Sequence, residues 1–228
     1  MSVFIKRVAS RSSPKRVAPV GAPPHDTLAS KTGGNVYDKY GTANPIERRL
    51  VAGFMSQLED LVDRISPREA HEVGCGEGEL SILLARRGIS VRGTDAFAEV
   101  LDEARERASV AGVEISYEQA PVEGLDPEHH RAELIVCCEV LEHLSDPDAA
   151  LEVLARLADP WLIASVPREP LWRVLNLARL SYLGDWGNTP GHLNHWSKRT
   201  FIRFLERRFQ VLEVRTPPPW TMALCRVN

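Results

Sequence analysis

Long apolar runs are missing from this chain of 228 residues; no stretch of 18 stays apolar, so nothing in it reads as a membrane span. Cysteine is scarce. Cys75, Cys137, Cys138 and Cys225 show no C-x-x-C spacing, and the adjacent pair, inside an apolar run, would point to opposite faces of a strand. A disulfide scaffold is therefore excluded, and reduced thiols and a cytoplasmic address are expected. An excess of positive charge is also absent. Lys and Arg number 28 against 31 Asp and Glu, a net charge of −3, which argues against nucleic acid as the partner of the chain as a whole. What remains is 43% apolar and 26% charged, the balance of a soluble globular domain with a tail.

The tail is expected over residues 1–35 and the domain over 36–228. Residues 1 to 25 carry Lys6, Arg7, Arg11, Lys15 and Arg16 among Ser and Pro and no acid, a composition that does not bury a core. The stretch has no apolar h-region, which argues against secretion, and no amphipathic helix to make it an organelle transit peptide. Asn44-Pro45 then offers a cap and a first turn, and Ile46, Leu50, Phe54, Leu58, Leu61 and Ile65 recur at helical spacing up to Ser66-Pro67. Strands are expected at 70–73, 89–94, 113–117, 134–138 and 161–166, alternating with helices at 79–87, 96–111 and from Asp146-Pro147 onward. Such alternation gives βαβ units and a parallel sheet covered on both faces, with ligands at the carboxyl ends of its strands. Beyond 168, Ser197 is placed to cap a helix through Arg208, and 211–214 and 221–227 read as two final strands.

The chemistry concentrates at Glu72-Val73-Gly74-Cys75-Gly76-Glu77-Gly78, between the first strand and its helix. Glycines there let the backbone turn tightly and approach a ligand, with helix amides facing it. The spacing is G-x-G-x-G, and Glu79 stands where a dinucleotide fingerprint wants its third glycine. The carboxylates Glu72, Glu77 and Glu79 repel a pyrophosphate and suit a sulfonium and an ammonium group. Asp95 ends the next strand, 21 residues after Gly74, where a carboxylate can accept both hydroxyls of a ribose. It can also cap the following helix.

Through HEVGCGEGEL, VRGTDAF and ELIVCCEVLEHLSDPDAAL, residues 45 to 228 resemble the class I S-adenosylmethionine-dependent methyltransferases, in the branch that includes ubiquinone and menaquinone pathway enzymes. The resemblance implies a Rossmann-like, seven-stranded, mostly parallel α/β sheet with helices on both faces and a C-terminal antiparallel strand. It implies S-adenosyl-L-methionine as cofactor, with its methionine portion held by Gly74, Cys75, Gly76 and Gly78, oriented by Glu72. The ribose would meet Asp95 and the adenine Ala96 or Phe97. Many relatives carry an Asp after the third strand that meets the adenine amino group; here Pro121 stands in its place, leaving Gln119 or the Val122 amide for that contact.

Glu139-Val140-Leu141-Glu142-His143 follows the fourth strand. One helical turn there would put Glu139, Glu142 and His143 on a shared face. In one reading His143, or His195 downstream, is the base for a methyl acceptor, Glu139 encloses the cofactor and Glu142 contacts substrate. In a second, Glu139, Glu142, His143 and His195 hold a divalent metal, an arrangement similar to the small-RNA 3′-end methyltransferases. A purely structural reading has Glu142 and His143 capping the next helix or pairing with each other. A helical lid insertion is expected at about 168–197, where Trp172, Tyr182 and Trp186 would cover the acceptor and His192 would stand at the mouth.

The sequence thus leads to methyl transfer to an oxygen of a small aromatic, lipid-like or natural-product acceptor. Eight basic residues against three acids over 168–208 add a peripheral membrane contact to the expectations. The rivals are a nicotinamide oxidoreductase, disfavoured by Glu79, and a methyltransferase-like module without catalysis.

Overall fold

The computed structural model describes residues 44–172 and 191–228. The tail expected at 1–35 and most of the lid segment, including Tyr182 and Trp186, lie outside the described residues.

Helix α1 (Pro45–Ile65) starts where the sequence says it should: the Asn44 side chain accepts the Ile46 amide at 3.0 Å, and Pro45 supplies the first turn. Its inward stripe is Phe54, Leu58, Leu61 and Val62, whereas Ile46 is 70% exposed at the first turn and takes no part in the core. There follow β1 (Glu69–Val73), α2 (Glu79–Arg86), β2 (Ser90–Asp95), α3 (Ala98–Ala111), β3 (Ile115–Gln119), a short α4 (Pro127–His130), β4 (Ala132–Cys138), α5 (Pro147–Leu157) and β5 (Ala158–Pro167). Helix α6 (Lys198–Leu205), β6 (Phe209–Arg215) and β7 (Trp220–Val227) complete the described part.

The seven strands form one sheet in the order β3-β2-β1-β4-β5-β7-β6. Strands β1 to β5 pair in parallel, and β7 inserts antiparallel between β5 and β6. The order reverses at β1, so β1 and β4 diverge there and their carboxyl ends open a crevice. Alternation along the strands sends side chains to two cores. Leu134, Val136 and Cys138 join α1 and α2 on one face; Ile135 and Cys137 join α5 and α6 on the other. Cys137 and Cys138 thus point apart, and all four cysteines are free and buried. Full burial of each Leu or Phe in these layers contributes about 1.5–3 kcal/mol.

Two expected boundaries move for local reasons. Strand β3 begins at Ile115 instead of Val113, because Gly112 closes α3 at φ +69° and the Val113 amide turns back to the Ala108 carbonyl at 3.1 Å. Helix α3 begins at Ala98 instead of Ala96, because an Asp95 carboxylate oxygen takes the Phe97 amide at 3.0 Å and holds 95–97 as a turn. Helix α6 stops at Leu205, short of Arg208.

Candidate active site

The glycine loop crosses from β1 to α2 with Gly74, Gly76 and Gly78 all at positive φ, at +74°, +50° and +81°. At Gly74 and Gly78 the requirement is double. A Cβ on Gly74 would overlap the Val140 side chain, and one on Gly78 would overlap the Tyr117 hydroxyl, whereas the space above Gly76 is open. The Thr94 carbonyl at the end of β2 receives the amides of Gly74 and Cys75 at 2.7 and 2.9 Å. Next to it, Asp95 accepts the Gly76 amide at 2.9 Å through its other carboxylate oxygen. Asp95 therefore fixes the loop and the start of α3 together, and each oxygen keeps a further lone pair for a ligand.

Glu72, the penultimate residue of β1, lies beneath this loop, 3% exposed, and accepts the Ser81 hydroxyl of α2. Tyr117 of β3 lies across Gly93 and Gly78, and burial pushes its hydroxyl pKa well up, with the Glu72 carboxylate adding to the effect. Burial likewise raises the Cys75 thiol, again helped by Glu72 and then Asp95, so Cys75 packs as a neutral side chain. On the β2–β3 side, Gln119 donates to the Ala96 carbonyl at 3.0 Å, Phe97 is exposed beside them and Val122 is buried in a one-turn helix. Ala96, Phe97 and Gln119 thus stand at neighbouring strand ends.

Beyond β4 the arrangement differs from a continuous helical turn. Glu139 adopts a left-handed backbone, φ +61°, an uncommon state for a residue with a Cβ. Its carboxylate turns toward the sheet, accepting Trp220 Nε1 at 2.7 Å and the Ser165 hydroxyl at 3.3 Å. Only Leu141–His143 form a one-turn 3₁₀ helix. Glu139 accordingly does not share a face with Glu142 and His143. The group that does meet them is His192: ligand atoms of Glu142, His143 and His192 all lie within 4.8 Å of one another. Glu142 is 1% exposed, and its carboxylate is 4.0 Å from His143 Nε2. His195 turns instead to Glu169, at 3.8 Å.

A row of rings runs from α1 to this cluster. Phe54 meets Trp220 at 5.1 Å between centroids, Trp220 meets Trp172 at 6.2 Å, Trp172 stacks on His192 at 6.0 Å, and His192 meets His143 edge-on at 4.9 Å. Trp172 is the one expected lid aromatic within the described residues. The sequence reading missed Trp220, Ser165, Tyr117 and Asn194. Trp220 could have been suspected as a large aromatic at the start of a strand, but nothing local marks the others.

A mostly parallel seven-stranded sheet with one inserted antiparallel strand, a glycine loop after β1 and an acid after β2 define the class I S-adenosylmethionine-dependent methyltransferase architecture. Residues 70–160 match the family described as methyltransferase domain, and that stretch carries a domain of this description. It is 33% identical over 169 residues to a ubiquinone biosynthesis O-methyltransferase of Alkalilimnicola ehrlichii, covering 68% of this chain and 66% of that protein. It is 37% identical over 157 residues to the enzyme of the same description from Cronobacter sakazakii, covering 61% and 63%. The matched stretch thus spans just under two thirds of these relatives. Among solved structures, magnesium protoporphyrin IX methyltransferase from Synechocystis PCC 6803 with bound SAH superimposes with a TM-score of 0.65 at 20% identity, over 83% of this chain and 91% of that one.

Proposed function

We propose that the chain transfers a methyl group from S-adenosylmethionine to an oxygen of a small, ring-bearing acceptor. The carrying observation is the acidic crevice at the switch point. Glu72 and Asp95 flank a glycine loop that leaves open space above Gly76, and this acid surround fits a donor with a sulfonium and an ammonium group. When bound, S-adenosylmethionine supplies a methyl group on a positively charged sulfur. Gly74 to Gly78 would present backbone to its methionine portion, Asp95 would accept ribose hydroxyls, and Phe97, Ala96, Gln119 and the Val122 amide would border the adenine.

The chain's own task is alignment and exclusion of water, for which positioning supplies on the order of 7–11 kcal/mol. Trp172, Trp220 and His192 would wall an apolar or aromatic acceptor. His143 Nδ1 faces the Gly191 carbonyl at 3.0 Å, so it carries the proton and the Nε2 lone pair is the one that would accept the acceptor's hydroxyl proton. Such assistance adds about 10²- to 10⁴-fold. Buried free thiols support a reducing, cytoplasmic setting. Exposed Lys198, Arg199 and Arg203 on α6 support a peripheral membrane contact. Among the described residues no helix is long and apolar enough to cross a membrane.

Calorimetry with S-adenosylmethionine tests the donor assignment. Wild type should bind it and ignore nicotinamide dinucleotides, and Asp95→Ala should lose roughly 10- to 100-fold in affinity. Equal affinity in the variant would overturn the site.

A second reading is favoured by one observation, the convergence of Glu142, His143 and His192. A carboxylate and two imidazoles suit a divalent transition metal, which would add a Lewis acid at the acceptor oxygen. Elemental analysis of protein purified without chelator should then show an ion that His192→Ala loses; metal-free wild type would rule this reading out.

A further inference from the structure

The segment 191–196 returns to the sheet and docks on the turn after β4 chiefly through one residue, Asn194. Its side-chain nitrogen donates to two carbonyls of that turn, Leu141 at 3.1 Å and Leu144 at 2.7 Å. Its backbone amide and that of Leu193 both donate to a third, Glu142, at 3.0 and 2.8 Å. A 3₁₀ turn of three residues leaves its carbonyls short of partners, and this one residue and its neighbour satisfy three of them. Few side chains meet the demand. Two donors on one planar group must converge on two acceptors, and an isosteric carboxylate would set oxygen against oxygen.

The consequence lies three residues upstream. With the segment pinned, Gly191, at φ +89°, brings its carbonyl to 3.0 Å from His143 Nδ1. A carbonyl only accepts, so the contact selects the Nδ1–H tautomer and leaves the lone pair on Nε2.

We propose that Asn194 is a positioning residue: by clamping the return segment to the turn after β4, it holds the Gly191 carbonyl where it fixes His143 in the tautomer that leaves Nε2 able to act. The inference rests on the proposed function in taking Nε2 as the working atom. The same tautomer serves whether Nε2 receives a proton or faces an ion.

The test is nitrogen-15 NMR of the full chain with labelled histidine, which reports which ring nitrogen carries the proton, with His143 assigned by the signal lost in His143→Gln. Wild type should show His143 in the Nδ1–H form. Asn194→Ala should move it to the Nε2–H form that an unconstrained imidazole prefers, with S-adenosylmethionine affinity by calorimetry within about twofold of wild type, since no donor contact is assigned to Asn194. Asn194→Asp, equal in size and without donors, should do the same, and a melting curve on each variant verifies folding. An Nε2–H imidazole in wild type, or an unmoved Nδ1–H form in both variants, overturns the proposal. The two failures separate: absence of donor binding in wild type sinks the transferase reading and leaves the tautomer result standing.

Discussion

At the scale of single residues, two glycines of the donor loop, Gly74 and Gly78, have no room to be anything else. Gly74 needs a left-handed backbone, which costs an L-residue about 1–2 kcal/mol, and a Cβ there would also overlap Val140. Val140 belongs to the turn that carries Glu142 and His143, so this contact sets the donor loop against the acceptor side. Gly74→Ala should therefore weaken S-adenosylmethionine binding and lower the melting temperature. Adding Val140→Ala should restore only the steric part, leaving a deficit of about 1–2 kcal/mol in chemical denaturation. Full recovery in the double variant would mean that backbone conformation at 74 is of no consequence, and no recovery would remove Val140 from the account.

Elements were legible where their ends carry local chemistry. Asn44-Pro45, Asp146-Pro147 and Ser197 each start a helix where the sequence places it, and in α6 the Ser197 and Thr200 side chains and backbone cap each other reciprocally. Ser197→Ala should cost about 1 kcal/mol in urea unfolding, within the range of roughly 0.5–2 for lost caps. A change below a few tenths would show that the box is ornamental to α6. The glycine loop and Asp95 were legible for a similar reason, since a strand end, a turn and a helix start lie within a few residues. The acceptor side was not. Whether His192 or His195 meets His143 is decided by Asn194 and Gly191, whose contacts span about fifty residues of chain, and their spacing in sequence is silent on it. Glu139 was misplaced because helical periodicity assumes a right-handed backbone, which φ +61° interrupts.

At the scale of the whole molecule, the sheet encloses a histidine that takes no part in the proposed chemistry. His71 in β1 is fully buried; its Nδ1 donates to the His130 carbonyl at 2.8 Å, and its Nε2 accepts the Thr94 hydroxyl at 2.9 Å. It thereby ties β1 to β2 and to the end of α4, one residue from Glu72 and behind the strand end that holds the glycine loop. Burial lowers its pKa to about 4, against an ordinary value of 6.5. The sign follows from linkage: above pH 6.5 the ring is neutral folded or unfolded and costs nothing. As the pH falls from 6.5 toward 4 the unfolded chain binds a proton that the fold refuses, and stability drops until both states are charged. The full loss is about 3 kcal/mol. Carboxylates held by arginines, such as Glu133 with Arg68 and Glu152 with Arg208, have lowered pKa values and lose their contribution only below the ordinary carboxylate range. His71→Gln separates the two effects, because its amide can donate to His130 and accept from Thr94 without titrating. In urea unfolding at successive pH values, the gap between wild type and His71→Gln should be constant above pH 7 and move in the variant's favour between pH 6.5 and 4. Parallel curves through that window would mean that acid sensitivity comes from the surface pairs and that the buried imidazole is accommodated charged.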